Sequence, residues 1–310
     1  MSNKNLLIVL GATAVGKTRL AVQLAHTFNG EVISADSRQV FSGMDIGTGK
    51  DLLEYEVNNQ KIPYHLINIK SAGERYQVNA FKEDFYSAFE HIREAKKLPI
   101  LCGGTGMYIH SLLQKHELTA IPVNEELRKQ LILLNKETLQ NELGKYPINL
   151  RAHADVSSHK RLIRAIEIAE YLNHHDFTAE QRTELSPLVI GLYDEIDTRR
   201  NKILTRLDTR LSNGLIEEVQ NLLDNGVSEE MLTFYGLEYK FVFSYLKKEI
   251  NFSDLKERLG IAICQFAKRQ MTFFRKMEKD GVHINWIEAI DNDLVKNMAF
   301  GLVKEHFDLK

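Results

Sequence analysis

The octapeptide GATAVGKT at residues 11–18 follows an apolar run at 6–10 and leads into a helical stripe of Leu20, Ala21, Leu24 and Ala25 within 18–28. Strand, glycine-rich turn and helix, in that order, are what the pattern G-x-x-x-x-G-K-T needs to act as a phosphate cradle. Glycines let backbone N–H groups curl round an anion, and the helix N-terminus adds partial positive charge. Gly11, Ala12, Thr13, Ala14, Val15 and Gly16 thus form the cradle, Lys17 reaches the phosphate oxygens, and Thr18 suits a Mg²⁺ ligand. The glycine spacing is wrong for a dinucleotide turn of the G-x-G-x-x-G kind. The motif specifies a phosphate without naming its owner, a nucleoside triphosphate or some other pyrophosphate. It also constrains the fold, because a strand apolar on both faces belongs inside a parallel sheet covered by helices.

The rest of the first half keeps that rhythm. Strands are predicted at 32–34, 65–69 and 98–102, with a helix carrying Phe81, Phe85, Ala88, Phe89 and Ile92 between the last two. The alternation implies an α/β fold, a P-loop open parallel sheet flanked by helices, with ligands at the carboxyl ends of the strands. Near His116 the pattern changes. Residues 117–186 read as amphipathic helix, a helical insertion domain standing off the sheet, and a last strand follows at 188–192. Beyond it, Ile203, Leu204, Leu207, Leu211, Leu215, Val219 and Leu222 hold one helical spacing up to a terminating Gly226. The expected organisation is a first part of the catalytic core at 1–116, the insertion at 117–186, and core completion at 187–310.

Composition narrows the class. With 310 residues, 44% hydrophobic and 26% charged, the chain can bury a real core. A net charge of −2 argues against a uniformly basic coat, but nucleic-acid binding needs only a basic face. Residues 256–279 carry seven basic side chains against two acidic ones. Cys102 and Cys264 are too few for a disulfide framework or a four-thiolate metal site and are expected in the core. No apolar run reaches membrane length, which points to the cytoplasm.

A P-loop ATPase or GTPase usually carries a second strand ending in a metal-supporting aspartate. Here 98–102 runs into GGTGMY and offers no carboxylate. The acid stands instead in EVISADSRQVF, where Asp36 follows the second strand. It suits a base taking a proton from a nucleophile that attacks the cradled group, and it suits a turn cap equally well. GGTGMY is a second glycine-rich turn on the same rim, or only a tight connection. In HKRLIRAIEIAEYL, Lys160, Arg161 and Arg164 share the polar side of a helix opposite Leu162, Ala165, Ile166 and Ala169, either a phosphate grip or a solvated face. In CQFAKRQMTFFRKM, Phe266, Phe273 and Phe274 are expected in the core, leaving the basic residues free for phosphates. His174-His175-Asp176 lacks metal-site spacing, and Trp286 is expected to pack.

Taken in order, GATAVGKT, ADSRQVFSGMDIGTGK, YHLINI, GGTGMY, RLIRAIE, GLIEEV and AKRQMTFFRK resemble the motifs of the tRNA dimethylallyltransferases over nearly the whole chain. The resemblance implies transfer of a dimethylallyl group from dimethylallyl diphosphate to the exocyclic N6 amine of the adenosine 3′ to the anticodon, in tRNAs reading codons that begin with U. The cradle then holds a departing diphosphate with Lys17 and Mg²⁺, which agrees with the missing second-strand carboxylate. It further implies that Asp36 is the base for the amine, that Thr105 positions the reacting groups, and that Ser37, Arg38 and Gln39 hold a flipped-out base. Arg128, Lys160, Arg161 and Arg164 would grip the anticodon stem-loop, under an insertion that closes over the loop. Tyr235, Gly236, Tyr239 and Lys240 would form a further tRNA-contacting segment.

The chain departs from the family pattern at Ser157-Ser158, where an Asn-Asp pair is common, and at Glu238-Tyr239, where a Gly-Tyr pair is. The implied partners are the tRNA anticodon stem-loop and dimethylallyl diphosphate, with no membrane, and a monomer is expected. Two other readings stay open. One is a small-molecule kinase or an adenylate isopentenyltransferase; the cradle recognises phosphates and little else, so ATP is a further candidate ligand. The other is a non-catalytic RNA-binding protein. The basic helix favours a macromolecular acceptor, and Asp36 with Thr105 on one rim favours catalysis.

Overall fold

A computed structural model describes residues 4–114, 117–152, 154–178 and 181–307. In chain order the elements begin β1 (Leu6–Gly11), α1 (Lys17–Thr27), β2 (Gly30–Ser34), β3 (Glu56–Val57), β4 (Gln60–Lys61), β5 (Tyr64–His65), α2 (Val78–Glu94), β6 (Leu98–Gly103) and α3 (Gly106–Leu113). Then come α4 (Glu125–Leu131), α5 (Lys136–Gly144), α6 (Ile148–Arg151) and α7 (His159–His174). The chain ends with β7 (Pro187–Tyr193), α8 (Ile196–Ser212), α9 (Leu215–Asp224), α10 (Glu229–Tyr235), α11 (Leu237–Leu246), α12 (Phe252–Lys279), β8 (Asn285–Glu288) and α13 (Asn292–His306).

Contacts divide the chain into two compact units, 115–183 and the remainder. The larger unit is built on a six-stranded parallel sheet in the order β5-β2-β6-β1-β7-β8. Side chains alternate between the faces of a strand, and both faces of β1 are apolar. Leu6, Ile8 and Leu10 pack with Phe81, Phe85, Phe89 and Ile109 on one side. Leu7 and Val9 pack with Leu20, Leu24, Val295 and Ala299 on the other. Each such buried side chain contributes about 1.5–3 kcal/mol, which makes β1 a central strand. Leu10 pairs with both Gly103 and Gly191, so β1, β6 and β7 end at one level and their following loops leave from one edge.

Five sequence expectations change. The strand expected at 65–69 is only Tyr64–His65, because Leu66 (φ 63°) and Asn68 (φ 57°) adopt left-handed backbone that breaks a ladder. The single leucine helix through 203–222 is two helices, separated at Asn213 and Gly214; the φ of 102° at Gly214 is one that glycine tolerates and a helix does not. Phe266 is 41% exposed rather than core, and Cys264 is only half-buried. Residues 184–186 belong with the sheet, where the Asn5 side chain donates to the Glu184 carbonyl (2.8 Å) and accepts from the Ser186 amide (2.8 Å). Lys115 and His116, where the sequence pattern changes, lie outside the described residues.

The smaller unit packs α4, α5 and α7 around Leu131, Leu139, Leu143, Leu162, Ile163 and Ile166. Its helices start at polar caps: Asn124, Asn135 and Ser158 each accept from the amide three residues on. No described helix is long and apolar enough to cross a membrane.

Candidate active site

The loops after β1, β2 and β6 converge on a cavity of about 210 Å³, lined among others by Thr13, Lys17, Thr18, Asp36, Thr105 and Gln270. A second cavity of about 380 Å³, lined by Ala14, Val15 and Gly16 of the glycine-rich loop, shares Lys17, Thr18 and Arg206 with the first. Lys17 therefore stands between two spaces. Its ammonium donates to the Ala12 carbonyl at 2.7 Å. Burial lowers its pKa, against the opposing pull of Cys102 and Asp36.

Asp36 follows β2 and does what the turn-cap reading expects, its Oδ1 accepting from the Arg38 amide at 2.9 Å. It is half-buried and faces the cavity, so the cap role and the site placement coexist. Thr105 is beside it: its hydroxyl accepts from the Ser37 amide (3.1 Å), and its own amide donates to the Ala35 carbonyl (3.2 Å). GGTG is thus bonded to the Asp36 loop and is more than a tight connection. The Arg38 guanidinium lies over the Phe234 ring at 5.0 Å. Gln39 accepts from the Ser34 hydroxyl and donates to the Gly49 carbonyl. Burial pushes the Cys102 thiol up to about 12, as expected of an inert core cysteine.

Of the proposed tRNA-contacting segment, Tyr235, Gly236 and Tyr239 line the cavity and Lys240 is exposed, although Tyr235 and Tyr239 are each only 1% exposed. Tyr235 donates to the Glu74 carbonyl and accepts from the Gly73 amide, and Tyr239 donates to Glu218. Both hydroxyls are bonded inside the protein, so what these residues present to the cavity is the ring rather than a free hydroxyl. In the smaller unit Lys160 and Arg161 are exposed as expected. Arg161 bonds Asp155 (2.9 Å) and Ser157 (2.8 Å), so one serine of the departing pair helps aim it. Arg128 and Arg164 differ. Arg128 makes a two-pronged bond (2.8 Å each) to the fully buried Glu167 carboxylate. Arg164 bonds that carboxylate and the carbonyls of Leu118, Ile121 and Pro122. A buried carboxylate demands such partners, so both arginines tie the unit's interior together while 35% and 26% of their side chains stay exposed.

Sequence reasoning missed Arg206, Arg210, Glu218 and Gln270. Arg206 pairs with Asp51 and donates to the Gly49 carbonyl. Arg210 approaches Glu238 at 3.6 Å and the Gly47 carbonyl at 3.4 Å. Burial lowers the Arg210 pKa, and burial raises that of Glu238 despite this partner. The Glu218 carboxylate accepts from the amides of Asp45, Ile46 and Gly47 and from the Tyr239 hydroxyl. The signal for Glu218 and Gln270 was available: each is a polar residue on an apolar helical stripe, Leu215, Val219 and Leu222 for one, Ala267 and Phe274 for the other.

A family model described as IPP transferase matches residues 39–277, and one described as Isopentenyl transferase matches 4–71. The chain is 46% identical over 289 residues to a tRNA dimethylallyltransferase of Parabacteroides distasonis, covering 93% of this chain and 94% of that one. A tRNA dimethylallyltransferase of Geotalea daltonii is also 46% identical, over 295 residues, 95% and 94% of the two chains. Among solved structures, the full-length tRNA isopentenylpyrophosphate transferase of Bacillus halodurans superimposes with a TM-score of 0.70 at 30% identity over 98% of both chains. A eukaryotic dimethylallyltransferase acting on tRNA shares the fold with a TM-score of 0.78 at 22% identity, covering 99% of this chain and 81% of that one.

Proposed function

The chain belongs to the IPP transferase family of tRNA-modifying prenyltransferases, and on that premise we propose how its residues carry the transfer. The substrates are dimethylallyl diphosphate and the adenosine 3′ to the anticodon of tRNAs that read codons beginning with U. The observation that carries the reading is the convergence of Lys17, Asp36 and Thr105 from three loops on one cavity.

The diphosphate rests in the loop of residues 11–18 against Lys17 and Arg206, whose positive charge favours its departure. The adenine N6 attacks the allylic C1, the C1–O bond breaks, and the electron pair leaves with the diphosphate. The amine proton passes to the Asp36 carboxylate. Thr105 fixes the loop that carries that carboxylate. Among the described residues no group of three or more His, Cys, Asp or Glu side chains is placed to hold a metal ion. Mg²⁺ keeps waters and favours substrate phosphates, so the donor set fits an ion arriving with the diphosphate and taking one ligand from Thr18. Such an ion would neutralise charge on the leaving group. Lys160 and Arg161 supply phosphate contacts to the tRNA.

The test is transfer of labelled dimethylallyl diphosphate to unmodified tRNA with Mg²⁺, beside AMP as acceptor and ATP as competing donor. Label is expected in tRNA, and Asp36→Ala should slow the single-turnover step by about 10²–10⁴-fold. Label in AMP, or an Asp36→Ala loss confined to tRNA affinity, would overturn the assignment.

A further inference from the structure

Gln270 of α12 is 9% exposed on a stripe formed by Ile263, Ala267, Phe274 and Met277. Its carboxamide spans two loops that no strand pairing joins. Oε1 accepts from the Thr13 amide at 2.9 Å, and Nε2 donates to the Gly104 carbonyl at 2.9 Å. The contact is tight enough that a Cβ on Gly104 would strike Nε2. The β1–β6 ladder ends at Leu10 and Gly103, so beyond that level the side chain substitutes for the missing ladder.

What lies at each end gives the bridge its meaning. The Thr13 N–H and the Ala12 carbonyl belong to one planar peptide group and point in opposite directions. That carbonyl receives the Lys17 ammonium at 2.7 Å, so Gln270 orients the peptide on which Lys17 rests. At the other end Gly104 precedes Thr105, whose hydroxyl holds the Ser37 amide next to Asp36. A chain of contacts therefore runs from Lys17 through Gln270 and Thr105 to Asp36. We infer that Gln270 is a positioning residue that sets the distance between the leaving-group cradle and the proton-accepting loop. The inference rests on the reading of this cavity as the transfer site. Misplacement by about 1 Å can cost on the order of 10²-fold in rate, so the span matters even though Gln270 touches no reacting atom. Both a donor and an acceptor are required. Glutamate keeps the bond from Thr13 but sets an oxygen against the Gly104 carbonyl, and methionine keeps the shape while removing both bonds.

The experiment compares wild type, Gln270→Met and Gln270→Glu in single-turnover transfer to tRNA, with inorganic pyrophosphate and tRNA binding and the melting temperature measured alongside. Both variants should lose about 10–100-fold in the single-turnover rate. Binding of either probe should change by less than about threefold, the pattern of an interaction felt only in the transition state. On an Asp36→Ala background the Gln270→Met change should cost less than it does in the wild type, because only its route through Lys17 remains. A purely structural glutamine would instead lower the melting temperature with an unchanged rate in the folded fraction, and that result overturns the inference. If methionine prevents folding, Gln270→Glu carries the comparison alone. A wild type that transfers normally beside unaffected variants sinks this inference only, whereas a wild type with no transfer to tRNA sinks it together with the proposed function.

Discussion

Glu218→Gln is the perturbation that separates a framework of hydrogen bonds from mere packing. The carboxylate is 9% exposed and accepts four bonds, from the amides of Asp45 (2.7 Å), Ile46 (2.7 Å) and Gly47 (2.9 Å) and from the Tyr239 hydroxyl (2.9 Å). Glutamine has one oxygen for the two sides. Its better orientation keeps that oxygen on Asp45 and Ile46 and turns the NH₂ toward Gly47 and Tyr239. The tyrosine hydroxyl can rotate to accept, but the Gly47 amide cannot, so one bond to a charged group, worth about 1.5–3 kcal/mol, is lost. The two surviving amide bonds change from charged to neutral acceptors and lose about half their strength. The expected sum is about 3–6 kcal/mol, a large share of a typical total of about 5–15 kcal/mol.

Urea unfolding followed by fluorescence reads this directly, since Trp286 is the only tryptophan and sits in the sheet unit on β8. Tyr239→Phe should cost about 1–1.5 kcal/mol alone. Combined with Glu218→Gln it should cost less than it does alone, because the bond that the rotated hydroxyl keeps is to a neutral carboxamide rather than to a carboxylate. A Glu218→Gln loss below about 1 kcal/mol, or strict additivity of the pair, would refute the reasoning. Activity should fall as well, because this loop carries the Gly47 and Gly49 carbonyls to which Arg210 and Arg206 donate.

At the opposite edge of the sheet, Glu31 accepts from Lys97 and His65, each at 2.6 Å. Burial pushes its pKa up, but those two hydrogen bonds outweigh burial and leave it below the ordinary 4.5. A depressed folded pKa contributes stability above the unfolded value and loses it as pH falls through the folded value. Glu31→Gln should therefore cost about 1–3 kcal/mol at pH 7, with the gap to wild type closing below pH 4.5; a gap constant down to pH 3 contradicts this. In the smaller unit, Arg161→Ala should weaken tRNA binding and flatten its salt dependence, measured by titration at several salt concentrations, while stability moves by less than about 0.5 kcal/mol. Arg128→Ala should instead cost about 1.5–3 kcal/mol of stability, because it leaves the buried Glu167 with only the 3.4 Å contact to Arg164, so equal melting temperatures for the two variants would be the contrary result.

Local patterns in the chain already contained the parallel sheet, the glycine-rich loop and the three rim segments. A doubly apolar strand followed by glycines and a helix has few ways to fold, and strand-end loops in such a sheet face a common edge. Lys17, Asp36 and Thr105 were legible because each sits within a few residues of a strand end. The short β5 and the break between α8 and α9 were not, since both depend on left-handed backbone at single residues that hydrophobic periodicity does not register.

Partners distant in sequence were legible only as anomalies. Helical spacing puts Arg128 and Arg164 among the surface charges, and only folding reveals that Glu167 claims them both. Tyr239 reads as a polar contact residue until Glu218 is found beneath it. Gln270 stands 257 residues from Thr13 and 166 from Gly104. Periodicity encodes which face of a helix is buried, because burial repeats every turn. Which polar group a buried side chain will meet depends on how separate elements pack, and the tertiary structure alone decides that.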